Sequence, residues 1–351
     1  MNLHEMMALA KEKRASDLHI KVGSPPLIRV DGELLPIREE ILLPDETELL
    51  TRQCTGPERF QYLAHEGDLD FSYSAPHVAR FRVNAFRQRN TYGMAMRLVN
   101  TEIPTLKSLN LPAVMESFTD MTHGLVLVTG PTGSGKSTSL ASMIQMINEK
   151  RNAHIITLED PIEYLYKNAK ASIAQREIGL DTKSFAKGLR SALRQDPDII
   201  LVGEMRDLET IEIALLAAET GHLVFSTLHT LGAAKTIDRV IDAFPTNGKE
   251  QVKVQLASVL QAVVSQQLLP NKTGFGRVPV CEVMVANTGI RNMIREGKTH
   301  QIQNSIVTGK NQGMITMDES LKNLYQNGTI TKQEAITHAL DREELSKTID
   351  F

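Results

Sequence analysis

Leu125-Val126-Leu127-Val128-Thr129-Gly130-Pro131-Thr132-Gly133-Ser134-Gly135-Lys136-Ser137-Thr138 is the stretch on which the reading of this chain turns. A run of apolar residues predicts a short buried strand. Gly130 to Ser137 then satisfy GxxxxGK[ST], and Thr138 to Lys150 can continue as a helix. The glycines let the backbone wrap around phosphates, so that its N–H groups and the helix N-terminus point at negative charge. In such a loop Lys136 contacts the β- and γ-phosphates and the Ser137 hydroxyl ligates Mg²⁺. The bare pattern arises by chance in roughly one chain per hundred of this length; the strand before it and the helix after it make chance a poor account. Around the loop, Gly124–Thr129, His154–Leu158, Ile199–Val202 and Leu223–Thr227 read as buried strands with helical segments between most of them, which predicts a mostly parallel α/β sheet. Beyond about residue 250 the chain reads as helix after helix.

A phosphate loop needs acids near the metal and a group to orient water, and the ends of neighbouring strands are where these belong. Asp198-Ile199-Ile200-Leu201-Val202-Gly203-Glu204 ends a strand in a carboxylate, resembling a Walker B segment with Gly203 where an aspartate is ordinary. Ile155 to Tyr164 ends a strand with Glu159, Asp160 and Glu163, with Pro161 fixing a turn among them. The bland account, three exposed turn acids, suits Glu159 better than Glu163, which the turn can redirect inward. Leu223 to Thr230 ends in hydroxyls and His229, a set able to sense a γ-phosphate or position water.

The N-terminal part has a different pattern. Leu3, Met6, Met7 and Ala10 recur at helical spacing. Asp31-Gly32 between β-prone runs is a type I′ hairpin signal, because both residues need positive φ. A second hairpin is predicted over 79–99, turning at Asn90–Gly93. This predicts an α+β domain over 1–100, a linker over 101–120 with two prolines in Thr101 to Pro112, and a nucleotide-binding domain over 121–351. With 39 Lys+Arg, 42 Asp+Glu and a net charge of −3 among 351 residues, bulk charge recruits no polyanion; only a local patch could. Hydrophobic content of 41% fits a globular chain, two widely separated cysteines fit a reducing compartment, and no apolar run is long enough to span a bilayer, so any membrane link is expected to be peripheral.

Four segments in order, GPTGSGKST at 130–138, LEDPIEY at 158–164, LVGEMRD at 201–207 and STLHT at 226–230, resemble the Walker A, Asp box, Walker B and His box of the type II/type IV secretion ATPases, most closely the pilus-retraction branch. Ala15 to Ile20 and the arginine hairpin at 80–97 are similar to that family's N-terminal domain, so the resemblance covers nearly the whole chain. It implies a PAS-like N-terminal domain and a RecA-like ATPase domain, assembled as a homohexameric ring that uses ATP and Mg²⁺. It further implies that Gly130 to Thr138 and Lys136 hold phosphate, Ser137 and Glu204 serve the metal, Glu163 is a candidate general base and His229 reads the γ-phosphate. Arg82 and Arg97 match family arginines that reach the nucleotide, a role suited to planar, permanently charged groups. The implied partners are the inner-membrane platform protein of a type IV pilus and, indirectly, its pilin filament.

Each feature has a plainer account. Five arginines over 80–97 also describe a solvated strand edge, and with Phe81, Phe86 and Tyr92 they could form a nucleic-acid patch on a translocase, although no nucleic-acid partner is expected. Family members that assemble pili or serve type II secretion commonly carry a four-cysteine zinc motif, whereas only Cys281 lies beyond residue 54 here. Gly289 to Glu296 resembles the AIRNLIRE segment linked to retraction, while Ile290, Met293 and Ile294 equally form the buried stripe of a helix. The expectation is a cytoplasmic retraction motor at the inner face of the membrane.

Overall fold

Local chemistry starts the first helix: the Asn2 side chain accepts from the Glu5 N–H and Glu5 accepts from the Asn2 N–H, both at 2.9 Å, a reciprocal cap that satisfies two helix-end donors. In the computed structural model, which describes residues 1–99 and 102–349, that helix is α1 (Leu3–Glu12), with Leu3, Met6, Met7 and Ala10 buried. The backbone divides into two units, Met1–Thr101 and Glu102–Phe351. The boundary expected at 100/101 lies outside the described residues.

In the first unit β1 (Asp17–Ile20), β2 (Leu27–Val30) and β3 (Glu33–Pro36) precede α2 (Pro44–Glu66); β4 (Asp68–Ala75), β5 (Ala79–Gln88) and β6 (Thr91–Leu98) follow it. They form one antiparallel sheet in the order β3-β2-β1-β6-β5-β4. Asp31 and Gly32 take φ of 49° and 90°, as the type I′ turn requires. The second hairpin turns earlier than expected, at Arg89 and Asn90 (φ 49° and 62°), with Gln88 opposite Thr91. Gly93 lies inside β6 instead, where an added Cβ would stand 2.9 Å from the Phe86 ring. Met6, Leu18, Ile20, Leu63, Phe81 and Met96 build this unit's core.

The second unit opens with α3 (Val114–Phe118) and a seven-stranded sheet: β7 (Gly124–Thr129), β8 (His154–Glu159), β9 (Ser172–Glu177), β10 (Ile199–Val202), β11 (Leu223–Leu228), β12 (Leu260–Pro270) and β13 (Arg277–Val285). The order is β13-β12-β7-β11-β10-β8-β9, parallel except for the antiparallel β12-β13 hairpin. Helices α4 (Lys136–Lys150), α5 (Phe185–Ala192), α6 (Leu208–Glu219), α7 (Ala233–Asp242) and α8 (Lys249–Val259) lie between strands. After the hairpin come α9 (Thr288–Arg295), α10 (Ile302–Thr308) and α11 (Met317–Gln326), with two more short helices behind them.

Two expectations are corrected. The region beyond 250 is not helix after helix: β12 and β13 interrupt it, and because both are buried on both faces their sequences lack the alternation that marks a one-sided strand. Of the linker expected over 101–120, residues 102–120 are part of the second unit, since Leu106, Leu111, Met115 and Phe118 are buried in one cluster with Val126, Val128 and Leu140. Among the described residues no helix is long and apolar enough to cross a membrane.

Candidate nucleotide site

The phosphate loop sits between the end of β7 and the start of α4, at the carboxyl edge of the sheet where α/β proteins bind ligands. Gly130, Gly133 and Gly135 take φ of 141°, 78° and 85°. At Gly130 the constraint is absolute, since a Cβ would fall 2.1 Å from the Gln266 carbonyl oxygen of β12. Gln266 also grips the loop by its side chain: its Nε2 donates to the Ser134 carbonyl at 2.7 Å, and its Oε1 accepts from Ser139 Oγ at 2.8 Å. Lys136 is buried, with its ammonium donating to the Gly130 and Pro131 carbonyls at 2.9 and 3.0 Å. Burial lowers its pKa below the usual lysine value, while the charges of Glu204 and Glu163 act in the opposite sense. Thr132 and Ser137 are exposed, and Thr138 Oγ1 lies 3.0 Å from the Tyr164 hydroxyl.

Glu204 follows β10. Its carboxylate accepts from Arg206 Nε at 2.6 Å and lies 3.3 Å from His229 Nε2, so the Walker B-like and His segments meet at one oxygen. Gly203 explains the missing aspartate: its N–H donates to the Leu158 carbonyl at 2.8 Å, and a Cβ would stand 3.1 Å from that same oxygen. Thr227 Oγ1 completes the clamp by donating to the Gly203 carbonyl at 2.6 Å.

Among the strand-end acids, exposure runs against expectation. Glu159 is the enclosed one, accepting from Thr157 Oγ1 at 2.6 Å and Gln175 Nε2 at 3.2 Å, and burial raises its pKa. The cause is β9, absent from the expected strands, which places Gln175 beside Thr157. Glu163 is exposed on the rim. A cavity of about 300 Å³ is lined by Thr132, Gly133, Lys136, Ser137, Glu163, Glu204 and His229, so seven of the expected site residues converge on it. Arg206 lines it too, and with Gln266 it is what the sequence reading missed. Arg206 left a trace as a cation two residues from the acid; Gln266 left none, since only strand pairing brings it to the loop.

Behind His229, Thr230 Oγ1 lies 2.7 Å from Thr236 Oγ1, the Gly232 N–H donates to Ser265 Oγ and the Ala233 N–H donates to Glu282 Oε1, both at 2.8 Å. Glu282 is fully buried at the start of α7, and its other oxygen accepts from Gln303 Nε2 and the Met317 N–H at 3.4 Å. Burial raises its pKa despite these donors.

In the first unit Arg82 and Arg97 are register partners across β5 and β6. Asp17 accepts from Arg97 Nε at 3.0 Å, yet the Arg97 side chain is 71% exposed. Phe81 is fully buried and Tyr92 packs on Phe60 at 4.8 Å between ring centroids, so these two aromatics serve the core rather than a base-stacking surface. In α9, Ile290 and Ile294 are buried, and Arg291 caps the end of α8 by donating to the Ala257 and Ser258 carbonyls at 2.7 and 2.9 Å.

A glycine loop closed by a buried lysine, with a strand-end glutamate and a histidine across the same cavity, makes this protein a P-loop ATPase. The chain belongs to the type II/IV secretion system protein family, whose model matches residues 2–343. It is 47% identical over 335 residues to the type IV pilus retraction ATPase PilT of Pseudomonas aeruginosa, covering 95% of this chain and 97% of that one. It is 46% identical to a twitching motility protein of Neisseria gonorrhoeae over 92% of this chain and 86% of that one. Among solved structures, the pilus retraction motor PilT with bound ADP superposes with a TM-score of 0.91 at 46% identity, covering 99% of this chain and 100% of that one.

Proposed function

We propose that this chain is a cytoplasmic, homohexameric retraction ATPase that drives type IV pilus depolymerisation through an inner-membrane platform protein. The observation that carries the chemistry is the meeting of Lys136, Ser137, Glu204 and His229 on one cavity; likeness to pilus retraction proteins over nearly the whole chain carries the biology. In this reading the first unit is a PAS-like domain and the second a RecA-like domain.

Lys136 holds the β- and γ-phosphates with the backbone N–H groups of the loop from Gly130 to Thr138, to which Pro131 contributes none. The Ser137 hydroxyl and the Glu204 carboxylate are hard oxygen donors of the kind Mg²⁺ takes alongside nucleotide phosphates, and the ion supplies charge neutralisation when bound. His229, held against Glu204, is placed to report the γ-phosphate. Glu163, exposed on the rim, is the candidate general base. Arg82 and Arg97 carry exposed charge suited to a nucleotide on a neighbouring subunit.

Steady-state ATP hydrolysis measured across protein concentration, with mass determined in parallel, tests this. Activity per subunit rises as hexamers form, and Glu204→Ala lowers it by about 10²-fold or more. Activity independent of assembly would move the chemistry into one chain and remove the ring. Mixing Arg82→Ala with Lys136→Ala subunits restores partial turnover if the arginines act between subunits; full turnover by an all-Arg82→Ala ring removes them from the site. Polynucleotide-stimulated, salt-sensitive turnover would instead favour a translocase.

A further inference from the structure

Met1, Leu34, Leu35, Ile41, Leu43 and Leu49 are between 43% and 57% exposed, a concentration of open apolar side chains within the first 49 residues. β3, exposed at all four residues, closes the sheet at that edge, so its outer side is available for pairing. From β3 the chain runs back along residues 23–26, held by hydrogen bonds from the Ile37 N–H to Pro26, the Leu42 N–H to Ser24 and the Gly23 N–H to Leu42. It then enters α2 beside a groove of about 310 Å³ lined by Met1, Leu42 and Leu49. Edge, return segment and groove thus follow one another along the chain as one strip of exposed apolar side chains interleaved with charged ones.

The strip is acidic. Residues 33–48 carry Glu33, Glu39, Glu40, Asp45, Glu46 and Glu48 against one cation, Arg38. Arg38 pairs with Glu46 and Arg52 with Glu48, whereas Glu33, Glu39, Glu40 and Asp45 have no ion pair among the described residues. An acid-rimmed apolar surface repels anionic lipid and fits a segment that is apolar and basic. Such chemistry is concentrated at the cytoplasmic ends of membrane-spanning proteins, where Lys and Arg accumulate beside apolar spans.

We infer that the strip from β3 to the first turns of α2 docks a Lys/Arg-rich amphipathic segment on the cytoplasmic side of an integral membrane protein. This rests on the reading of the chain as a motor that works on a membrane-embedded machine. Glu39 and Glu40 steer and register the partner, while Leu34, Leu43 and Leu49 receive its apolar face.

The test uses the full-length chain with inverted inner-membrane vesicles and with protein-free phosphatidylethanolamine/phosphatidylglycerol vesicles, at about 50 and 300 mM salt. The chain cosediments with the membrane-protein vesicles only, more weakly at the higher salt. Glu39→Lys/Glu40→Lys and Leu43→Ser/Leu49→Ser each lower binding about tenfold. A benzophenone photoprobe in place of Leu34 cross-links to a Lys/Arg-rich segment of an integral membrane protein, mapped by mass spectrometry. ATP turnover and ring mass stay at wild-type values in both double variants, because none of these residues lies in the nucleotide site. Cross-linking to a second copy, or loss of the ring in the charge-reversal variant, overturns the inference by making the strip a subunit interface. Equal binding to the protein-free vesicles, or unchanged binding by both variants, overturns it as well. Failure of the ATPase reading registers separately, as absent turnover in the unaltered chain.

Discussion

Gly203 shows how one backbone contact decides the composition of the Walker B-like segment. The ends of β10 and β8 approach closely enough that a side chain at 203 would press on the Leu158 carbonyl, and Thr227 fixes the peptide from the other side. The acid is thereby displaced one residue, to Glu204, where Arg206 and His229 can share it. Gly203→Asp, which restores the ordinary order of residues, is expected to lower stability by about 1–3 kcal/mol through overpacking and to put a carboxylate against a carbonyl. Thermal unfolding reads the first effect and ATP turnover the displacement of Glu204. A variant that unfolds at the wild-type temperature and turns over normally would show that the contact is slack.

At the scale of elements, legibility followed how local the signal was. The phosphate loop, the Asp31-Gly32 hairpin and the four central strands each announce themselves within a dozen residues, so the mixed α/β character was readable. β9, β12 and β13 were not, and the functional cost was Gln266 and the burial of Glu159. In β12 the sequence continues the apolar run of α8 without a turn signal, since Leu260 both ends the helix and begins the strand. Pro279 argues against a strand, yet β13 tolerates it at the sheet edge. Gln266→Leu keeps the volume and removes one hydrogen bond to the phosphate loop, at Ser134, and one to the first turn of α4, at Ser139, worth about 0.5–1.5 kcal/mol each. A rise in KM for ATP of about tenfold is expected; an unchanged KM would mean the loop holds its shape without β12. Glu282 belongs at this scale too, tying α7 to α10 and α11. Its folded pKa lies above the ordinary 4.5, so the folded state binds the extra proton, and this group costs stability as pH rises through the interval between the two values. Unfolding temperatures of the wild type and Glu282→Gln, compared from acid to neutral pH, should therefore shift against the wild type as pH rises. A constant difference would place the proton elsewhere.

For the whole molecule, family membership and the ATPase class rest on likeness along nearly the entire chain, while ring assembly and membrane work are the parts put to experiment above. The segment over 102–120 belongs to the second unit: prolines and weak periodicity make it read as a linker, whereas its apolar residues are anchored in that unit's core. A sequence pattern cannot reveal that anchoring: Leu106, Leu111, Met115 and Phe118 acquire meaning only when β7 and α4 lie beside them. Each unit also has a single thiol. Cys54 and Cys281 are buried and free, and burial pushes both up to about 12, so neither reacts appreciably as thiolate while its unit stays closed. Labelling by a thiol reagent is therefore expected to be slow in the intact protein and limited by opening of the surrounding structure. The cysteines then act as two clocks set into one chain. Two rates, assigned with Cys54→Ser, would mean that the units open independently; a single shared rate would mean that they open together, and rapid labelling of either would show that its cover is thinner than its burial.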